Sequence, residues 1–253
     1  NSMSDLFHQD VPDEFIAKVF AVMAATPRHV YQVLTKRPGR MASLVARPDF
    51  RGQVASHVDA NWDAPLWTWP VASGAWPLRN VWLGTSVENQ KWADVRIPKL
   101  LETPAAVRFL SCEPLLGPVT FLGTTHWLRE GGIGWVIVGG ESGPGARPMH
   151  PDWARSLRDQ AVAADVPFFF KQWGEWAPCG PLVQDPDFHG GGYVETPEGG
   201  HTAVGSFTPT SPYLRDLGEG AYASRLGKKA AGRELDGRAW NEWPRSGAAT
   251  DAA

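Results

Sequence analysis

Apolar residues recur at helical spacing near the start of the chain. Phe15, Ile16, Val19, Phe20, Val22 and Met23 follow Pro12, which a first turn tolerates, and the pair Thr26 and Pro27 stops the run. The spacing predicts a helix. A short β-branched and aromatic stretch, His29 to Thr35, predicts a strand, and Pro38 opens a second helical pattern through Val45. From Arg51 to Asn80 tryptophan and proline appear without a steady period, which predicts an inserted loop.

The alternation then resumes. Strands are expected at Asn80 to Ser86, Ala106 to Ser111, Trp135 to Gly139 and Pro167 to Gln172, with helices near Asn89 to Glu102 and Pro151 to Ala164. Helical crossovers between consecutive strands imply a parallel sheet, and near-continuous apolar strands imply burial on both faces. A doubly wound sheet and a barrel both fit this order. Polar residues follow all five strands, which favours a parallel (β/α) barrel of TIM type whose site lies on one rim.

The expected organisation is a barrel core over 1–177 with the inserted loop at 53–79, then a loop-rich C-terminal extension over 178–253 with a basic tail. The polar stretch Asn1 to His8 reads as the exit of a strand lying upstream, and a first residue other than methionine fits a partial sequence. The expectation is therefore a partial barrel whose N-terminal strands are missing, with about two further strands to complete eight.

Composition narrows the classes. A length of 253 residues suits one barrel domain, and a net charge of −3 gives no broad electrostatic footprint for nucleic acid. The two cysteines, Cys112 and Cys179, exclude a disulfide scaffold, and no apolar run is long enough to span a membrane. A cytoplasmic location is expected. Thirteen tryptophans are unusual, and packing is their first explanation.

The residues just past the strands carry the functional signal. They are Ser4 and Asp5; Thr35, Lys36 and Arg37; Ser86, Glu88 and Asn89; Ser111 and Glu113; Glu141 and Ser142; and Lys171, Gln172 and Glu175. A parallel sheet brings such positions together at its C-terminal edge, where acids, amines and amides converge on one ligand or pair with one another across the rim. Glu113, Glu141 and Lys171 are the catalytic candidates. The two carboxylates could act as acid and base in a metal-free hydrolase. The run GGESGPGAR at 139–147 is a glycine-dense turn. It matches neither the dinucleotide fingerprint nor the P-loop, so close approach to an anion and a tight positive-φ turn both remain open. Histidines lack zinc-site spacing, so no metal is expected. Cys112 reads as a buried thiol rather than a nucleophile.

Several long stretches together resemble a phage- and prophage-associated family of unknown function with a radical-SAM-like barrel fold. They run Asn1 to Ala17, Val33 to Ala42 (with LTKRPGRM), Asn80 to Lys91 (VWLGTSVENQ), Ala106 to Val119 (VRFLSCEPLLGP), Trp135 to His150 (VIVGGESGPGARPM), Pro167 to Ala177 (FFFKQWGEW) and Gly227 to Asn241. The resemblance implies a cysteine-rich segment holding an iron–sulfur cluster that presents S-adenosylmethionine. This sequence lacks that segment, and its two cysteines cannot supply three thiolates. The chain alone supports no cofactor, and both groups are expected only of a longer form.

If that longer form is a radical enzyme, position on the rim makes Ser86, Glu88, Asn89, Gly139, Gly140 and Ser142 the expected cosubstrate contacts, with Glu113, Glu141 and the Gly139-Gly140 turn toward its amino acid and ribose groups. A more acidic substrate would meet Asp5, Lys36, Arg37, Lys171, Gln172 and Trp173, with nucleic acid or a nucleotide-like molecule as the candidate class. Two other functions stand beside this one: the metal-free hydrolase, and a non-catalytic nucleic-acid-binding module using Lys36, Arg37, Lys228 and Lys229.

Overall fold

The computed structural model describes residues 4–61, 76–121, 125–128, 132–179, 183–184, 192–195, 201–204 and 214–244. Helix α1 (Asp13–Ala25) follows Pro12 at its N-cap, carries Asp13 and Glu14 where the helix dipole favours acids, and buries Ile16, Ala17, Phe20 and Ala24. It leads to β1 (Tyr31–Thr35), α2 (Pro38–Val45) and α3 (Pro48–Asn61). Then come β2 (Val81–Ser86), α4 (Gln90–Leu101), β3 (Val107–Cys112), β4 (Trp135–Gly139), α5 (Pro151–Ala163) and β5 (Phe168–Gln172). A short 3₁₀ turn, Thr125–Leu128, lies between β3 and β4.

Strands β1 to β5 form one sheet in the order of the chain, and every neighbouring pair is parallel. Sequential order with the usual hand places successive crossovers on the same face. On that face Val33, Leu83, Leu110, Val136, Val138, Phe168 and Phe170 join the helices in the main core. The opposite face carries an aromatic cluster of Trp82, Phe109 and Trp135, with Leu34, Val107, Ile137 and Phe169 against it. All six residues of β2 are buried, as expected of a strand covered on both sides.

The inserted-loop expectation fails over its first part. Helix α3 runs to Asn61, with Phe50, Val54 and Val58 buried at intervals of four. That stripe is present in the sequence, but Gly52 and a polar majority thin it. Residues 62–75 lie outside the described part.

The loop reading after Gln172 also fails in part. Strands β6 (Trp176–Cys179), β7 (Val183–Gln184), β8 (Gly192–Glu195), β9 (His201–Val204), β10 (Leu214–Gly218) and β11 (Ala221–Arg225) form two small antiparallel sheets, ordered β10-β11-β6 and β7-β8-β9. The basic tail is a single helical turn, α6 (Lys228–Ala231), then a hairpin of β12 (Glu234–Leu235) and β13 (Arg238–Ala239). These strands are two to five residues long and interrupted by glycine and proline, so no alternation is long enough to be read.

No closure into a barrel is seen among the described residues. There β1 pairs only with β2. Where a sixth parallel strand would join β5, the chain lays residues 240–242 antiparallel: Phe169 bridges Asn241, Phe170 N–H donates to Trp240 O, and Glu242 N–H donates to Phe168 O.

Candidate functional site

Alternation along β2 and β3 sets Ser86 and Ser111 on the same face as the aromatic cluster, two to four residues nearer the C-terminal edge, and Lys171 lies where β5 shifts register against β4. Above them the loops deliver charged groups in two clusters.

The first cluster joins β1, β2 and α4. Lys36 Nζ lies 2.7 Å from Glu88 Oε1, and Arg96 Nη1 lies 2.7 Å from Glu88 Oε2. The same Arg96 nitrogen donates to Ser86 O at 2.9 Å, and its guanidinium packs 4.1 Å over the Trp92 ring. Glu88 and Arg96 are buried. Burial works to raise the Glu88 pKa, but the Lys36 hydrogen bond and the charges of Arg96 and Lys36 outweigh it and hold the carboxyl below its ordinary value.

Asp5 ties the N-terminal stretch to the same edge. Its Oδ1 accepts from Thr35 Oγ1 at 2.7 Å and Phe7 N at 2.9 Å, and its Oδ2 accepts from Arg37 Nη1 at 2.8 Å and Lys36 N at 3.2 Å. Burial again opposes ionisation, and the Thr35, Arg37 and backbone hydrogen bonds win, leaving the pKa lowered.

The second cluster joins β3, β4 and β5. Lys171 Nζ lies 2.8 Å from Glu113 Oε2, and Gln172 Nε2 donates to Glu113 Oε1 at 3.2 Å and to Ser142 Oγ at 3.1 Å. Gly139 gives Glu113 its room, since a β-carbon there would sit 3.3 Å from the carboxyl group. Both lysines keep about half of their side chains in solvent, so their amines are reachable from outside.

The rim thus unites Asp5, Lys36, Arg37, Ser86 and Glu88 on one side and Glu113, Ser142, Lys171 and Gln172 on the other. Four candidates serve other purposes. Asn89 caps α4, its Oδ1 accepting from Trp92 N at 3.3 Å. Trp173 is buried against Phe170, and its Nε1 donates to Glu234 O. Glu141 is committed to Arg147, accepting from its N, Nε and Nη2 at 2.7 to 2.8 Å, and these bonds hold its pKa low. Glu141 is therefore ionised at neutral pH and unsuited to act as a general acid.

Gly140 is the fourth. Its Cα faces the Trp173 carbonyl, and Gly174 faces the Glu141 carbonyl in turn, so the ends of β4 and β5 touch backbone to backbone. Close packing explains Gly140 and Gly174, while positive φ is found at Gly143 and Gly174.

Sequence reasoning overlooked Arg96. It falls among Ala93, Ile97 and Leu100 on the buried face of α4, and a charge at such a position needs a partner.

A family model described as a protein of unknown function (DUF5131) matches residues 1–244. The chain belongs to that family. No curated protein and no solved structure matches it significantly. Among the described residues of this DUF5131 chain no helix is long and apolar enough to cross a membrane.

One described group could be considered for a metal. His150, Asp152 and Glu219 each bring a ligand atom within 4.8 Å of the others. His150 Nδ1 already accepts from Asp152 N as the cap of α5, Asp152 bonds Arg155, and the positive end of a helix dipole disfavours a cation.

Proposed function

We propose that the rim of β1 to β5 is the ligand mouth of a radical-SAM-like barrel enzyme of a phage-associated family, holding a nucleoside-type cosubstrate such as S-adenosylmethionine. Nucleic acid or a nucleotide-like molecule is the proposed substrate class. The observation that supports this reading is the pairing of Lys36 with Glu88 and of Lys171 with Glu113 on one sheet edge, each with a half-exposed amine. A carboxylate beside an amine suits a ligand that carries both an amino and a carboxylate group. Sequential parallel strand order supports the barrel.

The residues present do not fit an iron–sulfur cluster. Cys112 is buried in the main core, its thiol pushed up to about 12 by burial and by the Glu88 charge, and burial pushes Cys179 up to about 11. Two protonated thiols on different sheets cannot replace three thiolates. The proposal is therefore confined to ligand binding by the rim.

Isothermal titration with S-adenosylmethionine tests it. Saturable binding is expected, weakened at least about tenfold in Lys36→Ala and in Lys171→Ala. Undetectable binding to the intact chain, or binding untouched by both substitutions, overturns the reading. The hydrolase reading gains no support, because Glu113 and Glu141 are bonded to different partners.

A further inference from the structure

A cleft of about 760 Å³ opens at the amino ends of β3, β4 and β5, at the opposite end of the sheet from the rim. Two of the exposed large apolar side chains, Val162 at 53% and Trp243 at 52%, both line it. Among the described residues its charged groups are Arg108, Asp165 and Glu242.

Trp243 is exposed yet firmly held. Its ring lies 4.7 Å from that of Trp135 at an interplanar angle of 35°, and 5.5 Å from that of Phe169. Its neighbour Glu242 is fixed at three points: the backbone carbonyl accepts from Trp135 Nε1 at 2.9 Å, the backbone N–H donates to Phe168 O, and the carboxylate accepts from Phe168 N at 3.0 Å. An exposed aromatic ring fixed from behind offers a flat surface at little ordering cost.

The charges decide what would lie on that surface. Among the described residues Glu242 already faces Arg238 at 3.5 Å, which leaves Asp165 against Arg108, itself donating through Nε to Thr103 O, so the lining gives no preference for phosphate. Asp165 is exposed and offers a carboxylate to an amino group. The volume is in the range of small-molecule sites.

We propose that this cleft is a second ligand site, which takes an uncharged amino-bearing purine nucleoside with its base stacked on Trp243. Base stacking on aromatic side chains is the interaction that recognises such a ligand. The site is independent of the rim and of its cosubstrate.

The test is isothermal titration of the full chain with adenosine and with adenosine monophosphate, alongside four variants. Adenosine is expected to bind saturably, and the monophosphate no more tightly. Trp243→Ala weakens adenosine binding about tenfold or more, while Trp243→Phe keeps it within about threefold. Val162→Asp, at a side chain that is half in solvent, removes binding with the thermal midpoint unchanged. Lys171→Ala, at the rim, leaves it as it was.

The proposal is overturned by no adenosine binding by the intact chain up to millimolar concentration; by equal binding by the intact chain, Trp243→Ala and Val162→Asp; or by loss of binding in Lys171→Ala, which would move the ligand to the rim. Much tighter binding of the monophosphate also overturns it, because the recognised group would then be phosphate.

Discussion

The ring of Phe109 on β3 fills the space a side chain at Gly84 on β2 would need: a β-carbon there would stand 2.5 Å from Phe109 Cε2 and Cζ. The two are register partners, so the aromatic cluster is built over a glycine gap. Gly84→Ala is expected to cost about 1–3 kcal/mol by overpacking. Urea unfolding measures it, and adding Phe109→Leu should recover part of the loss, since contacting residues are not additive.

Gly140 and Gly174 meet backbone rather than a flexible ring, so neither has an easy way to yield. Gly174 also holds a φ of +86°. Alanine at either position is expected to destabilise by about 3 kcal/mol or more, beyond the Gly84 effect. A midpoint shift smaller than that of Gly84→Ala would contradict the close approach of β4 and β5.

The acid limb of stability should depend on Glu88. Its folded pKa lies below the unfolded one, so its contribution is complete above the unfolded value, near 4, and is lost as pH falls through the folded value. Asp5 shifts in the same direction and adds to the limb. Glu88→Gln should flatten the loss below about pH 4, as read by denaturation across pH 2 to 7. Glu88→Ala, which strands the buried Arg96 charge, should cost about 3–5 kcal/mol at pH 7.

Both thiols are expected to resist modification. With Cys112 buried and near 12, and Cys179 near 11, little thiolate exists at pH 8. A disulfide exchange reagent should titrate two thiols promptly only after unfolding. Prompt reaction of the folded chain would contradict the burial of Cys112.

The parallel sheet was legible in the sequence because each strand is a short apolar run separated from the next by a stretch of helix or loop, and the rim was legible because it follows from strand direction alone. Which rim residues face one another was not. Glu141 and Glu113 look equivalent in the sequence, yet Arg147, six residues on, captures the first while Lys171 and Gln172 take the second. Asn89 looks like a rim amide and is a helix cap. Helix α3 hid behind a sparse stripe with Gly52 inside it, and the C-terminal strands are too short to show a period.

The segment at 240–242 gives β5 a partner on the edge away from β4, and its hydrogen bonds engage the Phe168 carbonyl and the Phe170 N–H there. Without that cover the molecule would present an unpaired, strongly aromatic margin, which is a template for chain-to-chain association. Shortening the chain ahead of Trp240 would therefore be felt first as a loss of solubility.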